Sequence, residues 1–176
     1  TGTGSITINK PGFADILIVA GGGAGGSSYG SGGGAGAFVD IYEGFLAEGT
    51  HTVVVGAGGN GRATPYAGSG QNGNTGNASR VSVYMAPGGA GGVGAAYNSG
   101  GGYNVQPGLS GGSGSGASGM NSGPSASGCS GMVGFGGDGG AATSGILSAA
   151  AGGGGGNPSV LGRGQTPVFY THLTLP

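Results

Sequence analysis

Short apolar runs in this chain open repeatedly into glycine tracts. ILIVA passes into GGGAGG across residues 16–26, GGGAG leads into AFVDIY across 32–42, and TVVV gives way to GAGGNG across 52–61. Glycine fills 53 of the 176 positions, so the tracts are a building material and not occasional turns. The apolar runs are too short for helices and are bounded by glycine, which reads as strands. Between them lie segments that can offer a neighbour little beyond backbone N–H and C=O groups. An enzyme core is not built this way. The pattern suits a structural or adhesive extracellular module.

Low hydrophobicity alone does not make the chain disordered, because disorder also calls for high net charge. Here four Lys/Arg face five Asp/Glu, a formal net charge of -1. Nucleic-acid surfaces need clustered Lys/Arg. Lys10, Arg62, Arg80 and Arg163 are scattered, so no nucleic-acid partner is expected. Cys129 is the only cysteine, which leaves no intrachain disulfide and no zinc cluster, and makes the redox compartment unreadable. No apolar run approaches the roughly 18 residues of a membrane helix, and no membrane insertion is expected.

Five strands follow from the pattern: 5–10, with Ile6 and Ile8 on one face; 14–20; 37–46; 51–55; and 79–86. The third places Phe38, Asp40 and Tyr42 on one face and Val39, Ile41 and Glu43 on the other. The fifth alternates Val81, Val83 and Met85 against Ser82 and Tyr84. Pro11-Gly12 and the AEGT segment at 47–50 read as turns. No window carries a 3.6-residue period, so essentially no α-helix is expected.

Beyond Pro87 the large apolar residues thin out and glycine takes a threefold period. Gly128, Gly131, Gly134, Gly137 and Gly140 keep it, as do Gly70, Gly73 and Gly76, and Gly88, Gly91 and Gly94. Three residues per turn is the geometry of polyproline II. Collagen shares the period but wants proline, and none lies between Gly128 and Gly140. The remaining structure is a bundle of polyglycine-II helices within one chain, bonded laterally because only glycine lets the backbones approach. Ordering a backbone residue costs about 1–2 kcal/mol, and a hydrogen bond returns about 0.5–1.5 kcal/mol. Such a bundle needs a nucleating β-unit beside it. A flexible Gly/Ser linker is the alternative, strongest for residues 111–128.

The order of these pieces carries a resemblance. ADILIVAGGGAGG, then GGAGAFVDIYEGFLAEGTHTVVVGAGGNG, then GSGQNGNTGNASRVSVYMAPGGAGG resembles the glycine-rich domain of bacteriophage tail-fibre and tip-adhesin proteins, over about residues 5–103. It is also similar to the glycine-rich ectodomain of anaplastic lymphoma kinase-type receptors, a disulfide-bearing family that a lone Cys129 fits poorly. The resemblance implies an all-β fold, a small antiparallel β-sandwich combined with a polyglycine-II helix bundle. It implies a non-catalytic module that recognises a protein or glycan on a host-cell surface. The module would be carried on the virion or otherwise be extracellular, and possible homotrimerisation in a full-length fibre goes with it. A cell-surface structural or receptor ectodomain module is the first alternative, and an ice- or surface-binding glycine-rich protein the second.

Residues 1–103 are thus expected to form a glycine-rich β domain and 104–167 a polyglycine-rich extension of it. VFYTHLTLP (168–176) resembles the translation of a sequencing-library adapter and is expected to be read-through, a genuine terminal strand being the alternative. Thr1 reads as an internal cut.

Chemical motifs dissolve on inspection. GAGGNG (56–61) and GGGAGG (21–26) match GxGxxG, but a dinucleotide site also needs a following helix and a later acidic residue, so no cofactor is expected. His51 lacks a nucleophile and reads as a strand-edge residue. Asp40 and Glu43 fall on opposite faces, and Asp138 in GGDGG has no acidic ladder and reads as a solvated turn. No serine sits in GxSxG. The aromatic residues within glycine tracts, Tyr29, Tyr66, Tyr97, Tyr103 and Phe135, offer rigid amphipathic contact surfaces or else plug gaps in the scaffold. Residues 62–68 and 93–107 are the candidate exposed loops. Tyr66, Tyr97, Tyr103, Arg62 and Asn98 are the candidate receptor contacts.

Overall fold

A computed structural model describes residues 1–28, 30–62, 70–97, 103–120, 126–133 and 135–142. Those residues are all-β, without helix: β1 (Gly2–Ile8), β2 (Gly12–Val19), β3 (Phe38–Leu46), β4 (Gly49–Val55), β5 (Ser79–Val81), β6 (Tyr84–Ala86), β7 (Ala96–Tyr97), β8 (Tyr103–Gln106) and β9 (Ser118–Met120). The sheets are antiparallel, in the orders β1-β4-β5-β6, β2-β3 and β7-β8-β9.

The first two sheets face each other as a small sandwich. Its centre holds Ile18, Ala20, Ala37 and Ala86, with Ile16, Val39, Ile41, Val81, Tyr84 and Phe135 packed around them. The outer face of β2-β3 stays in solvent, where Phe13 and Phe45 meet edge to face at 5.5 Å.

Two departures from simple alternation have identifiable causes. In β3, Ile41 pairs with Ile16 and Gly44 with Ala14, so Tyr42 and Glu43 together stand opposite Asp15. This is a β-bulge. Glu43 takes a left-handed φ of 53°, and its N–H donates to Asp15 Oδ1 at 3.0 Å. The extra residue shifts the phase. Val39 and Ile41 face the core, then Gly44 and Leu46 are buried, and Glu43 turns out to solvent. Residues 79–86, expected as one strand, are instead the hairpin β5-β6. Ser82 lies at φ 53°, and Val83 at the tip is 83% exposed. A polar residue at a left-handed position makes a tight turn where alternation alone suggests continuity.

Glycine tracts adjoin β2 to β6 and β9 without a break, and further extended glycine-rich segments pack beside them. Eight such legs are visible among the described residues: 20–27, 31–37, 56–60, 70–78, 87–95, 111–117, 126–132 and 136–142. Their hydrogen bonds identify the structure. In leg one the N–H groups of Ala20, Gly23 and Gly26 donate to leg two, at the Ala37, Gly34 and Ser31 carbonyls. Those of Gly21, Ala24 and Ser27 donate to leg four, at Asn77, Asn74 and Gln71. The carbonyls of Gly21 and Ala24 accept from Gly89 and Gly92 of leg five, and Gly22 from Gly59 of leg three. A β-strand has two edges and two neighbours. Leg one bonds four legs, at intervals of three residues. Legs one, two and five also bond one another pairwise, a triangle that no sheet can contain. This is the polyglycine-II bundle.

Close approach makes glycine compulsory. A Cβ on Gly23 would overlap the Ala90 carbonyl, and one on Gly91 the Gly73 carbonyl. Gly22 has its nearest neighbour at 3.7 Å and would accept a methyl. The period-three sets Gly70–Gly73–Gly76 and Gly88–Gly91–Gly94 turn toward neighbouring backbones. The longer run from Gly128 to Gly140 is not one helix. The chain turns at 133–135, so its glycines divide between legs seven and eight.

The linker alternative for 111–128 does not hold where that segment is described. Gly112 to Ser118 are buried, with Ser113, Ser115 and Ser118 wholly so. Strands β7, β8 and β9 in this half of the chain likewise lie outside the five expected.

The serines differ in their roles. Ser31 Oγ, buried, accepts the Val93 N–H at 3.0 Å, whereas Ser113 Oγ is buried with no partner among the described residues. Ser31→Ala strands a buried donor and is expected to cost about 1–3 kcal/mol. Ser113→Ala removes an unsatisfied hydroxyl and is expected to be neutral or stabilising. Urea unfolding of the two variants side by side checks both.

Candidate functional site

The direction of each leg decides where the loops emerge. β2 runs into leg one and leg two runs into β3, β4 into leg three and leg four into β5, and β6 into leg five. Every one of these legs is rooted in the sandwich. The described outer ends of these legs therefore lie at the opposite end. Ser27 donates to Gln71, and Gly70 donates to Ala95, so the ends of legs one, four and five lie together there. Beyond leg five the small sheet β7-β8-β9 caps this end, and leg six climbs back into it through β9.

The sequence-nominated residues map onto that end as far as they are described. Arg62 lies just past leg three and is exposed. Tyr97 in β7 and Tyr103 in β8 are register partners, directly opposite each other across the hairpin. Tyr66 and Asn98 lie outside the described residues, as does Tyr29, but the described flanks, Arg62 and Gly70 for one and Tyr97 and Tyr103 for the other, belong to the loop end. Phe135 goes to the sandwich, where it packs against the core, and so plugs a gap in the scaffold.

Arg62 lines an open groove of about 490 Å³ together with Gln71, Asn72 and Asn74 and the backbone of Gly70 and Gly73. The three carboxamides were not singled out from the sequence. Their signal is the glycine period itself: Gly73 turns its bare face to leg one, and the residues between Gly70 and Gly76 are thereby left to face outward. Asn72 is held in place, its Oδ1 accepting the Gly94 N–H at 2.9 Å.

Charge is segregated along the molecule. Asp15, Asp40, Glu43 and Glu48 belong to the sandwich, with Lys10 and Arg80. Asp138 sits low on leg eight, where Oδ1 accepts the Gly131 N–H at 2.9 Å and braces the turn between legs seven and eight. Among the described residues, Arg62 is the one charged side chain at the loop end.

His51 behaves as a structural residue. Its Nε2 donates to the Ala47 carbonyl at 2.8 Å, which leaves Nδ1 to accept from the Ser82 hydroxyl at 2.9 Å. The ring ties the β3-β4 turn to the β5-β6 hairpin. Among the described residues no group of three or more His, Cys, Asp or Glu is placed to hold a metal ion, and no helix is long and apolar enough to cross a membrane.

No curated protein matches the chain. A family model described as a glycine-rich domain matches residues 1–171, across sandwich and bundle alike. With nearly the whole chain matched, and with glycine tracts that bond as a polyglycine bundle, this protein belongs to the glycine-rich domain family.

Proposed function

We propose that this chain is a non-enzymatic adhesin module of a bacteriophage tail fibre, which recognises a protein or glycan on a host-cell surface. The observation that carries the reading is the polarity of the scaffold. The sandwich anchors one end, and the outer ends of legs one, four and five lie at the other, together with Arg62, Tyr97 and Tyr103. Loops on a rigid frame are the usual place for recognition. The ordered resemblance of residues 5–103 to tail-fibre adhesins supports the same reading. Function is then presentation: the bundle holds contact residues in place, so little ordering entropy is lost on binding.

The purified chain is expected to bind the cells of some bacterial strains in a broad panel and not others, and to block adsorption of a phage carrying the same module. Equal retention by all strains, or by none, removes the reading.

A further inference from the structure

We infer that the groove between Arg62 and leg four is a subsite for an acidic saccharide, whose carboxylate is taken by Arg62 and whose hydroxyls are taken by the carboxamides of Gln71, Asn72 and Asn74. This rests on the adhesin reading and names the ligand class for it.

The groove is polar and open, and among the described residues its lining is Arg62, Gln71, Asn72, Asn74 and two glycines. A guanidinium presents a planar fork that matches a carboxylate with two parallel hydrogen bonds. Carboxamides each carry a donor pair and an acceptor, which suits hydroxyls that also donate and accept. The pinned Asn72 fixes one of these groups before a ligand arrives. Leg four is itself held on three sides, through Asn74 to Asn60, Gly73 to Gly92, and Ser27 to Gln71, so the wall of the groove is rigid.

The charge distribution selects the sign of the ligand. All five carboxylates of the chain lie on the sandwich or low on leg eight, away from the groove. An anion approaching the loop end meets Arg62 without a competing acid beside it. A neutral sugar would leave the guanidinium unused, and a cation would be repelled.

The test is glycan binding by the whole chain, with oligogalacturonate and polysialic acid as carboxylated probes, dextran as a neutral one and phosphomannan as a phosphorylated one. A carboxylated probe is expected to bind, dextran not, and binding should weaken with salt as a surface charge contact does. R62Q should lower affinity roughly tenfold or more, the loss expected of a charge-assisted pair. R62K should recover part of it, having the charge without the fork. Arg80 is exposed on the sandwich, so R80Q should leave binding unchanged. Unaltered thermal unfolding of R62Q separates binding from folding. Equal binding of dextran, an unaffected R62Q, or preference for phosphomannan overturns the inference. Binding to cells without binding to any saccharide overturns it while leaving the adhesin reading intact. Binding to neither defeats both.

Discussion

Gly23→Ala is expected to remove about 3–5 kcal/mol of unfolding free energy, at the upper end for a single added methyl. Gly23 donates to Gly34, and its missing side chain makes room for the Ala90 carbonyl, which in turn accepts from Gly34. A Cβ there must push leg five away from leg one. Separation loosens the Gly89–Gly21 and Gly92–Ala24 bonds as well. Lower chain entropy in the unfolded state offsets only about 0.4–1 kcal/mol. Small domains hold about 5–15 kcal/mol in total, and this one has a thin core, so little folded protein should remain. Gly22→Ala is the control. Its nearest neighbour is at 3.7 Å, and the change should stay within about 1 kcal/mol of wild type. Chemical denaturation of the pair checks the argument. Equal effects at Gly22 and Gly23 would mean that backbone contact does not hold the bundle.

Ile18→Ala is expected to cost about 2–5 kcal/mol and to melt the bundle along with the sandwich. Ile18 is 3% exposed and, among the described residues, is the one large side chain in a buried cluster otherwise made of Ala20, Ala37 and Ala86. Its neighbours cannot collapse far, because Ala20 and Ala37 are joined by a backbone hydrogen bond of 2.9 Å where β2 and β3 become legs one and two. That junction couples the two halves. The legs gain about 0.5–1.5 kcal/mol per hydrogen bond against about 1–2 kcal/mol of backbone entropy per residue, so they lean on the sandwich for order. Hydrogen exchange should show the amides of Gly23 and Gly34 losing protection together with those of β2 and β3. Bundle amides that stay protected after the sheet amides exchange would contradict this dependence.

Much of this fold was legible because each device left a chemical trace. Branched residues ending at glycine marked β2, β3 and β4, and the threefold glycine period marked legs four and five. The bulge at Glu43 was not legible, since nothing in DIYEGF distinguishes an extra residue from strict alternation until Asp15 on another strand supplies the acceptor. The β5-β6 turn was hidden for a related reason: Ser82 is a weaker turn former than Gly, Asn or Asp, Val83 is a strand former, and the tie from His51 comes from afar. Strands β7 to β9 are two to four residues long, too short for a period to register. At the candidate site, Arg62 and the tyrosines stood out as rare residue types among glycines. Gln71, Asn72 and Asn74 did not, because their importance depends on which way Gly73 faces.

The legs impose a second reading frame on the gene. With about three residues per turn, inserting one residue within a leg rotates everything after it by about 120°. Glycines would then face solvent, and side chains would be driven into the Ala90 or Gly73 carbonyls. A shift of three residues restores the phase but also lengthens the leg by about 9 Å, and its partners must grow by the same step. Duplication of a single glycine codon within a leg is therefore expected to destroy its packing. The frame can change length only in whole turns.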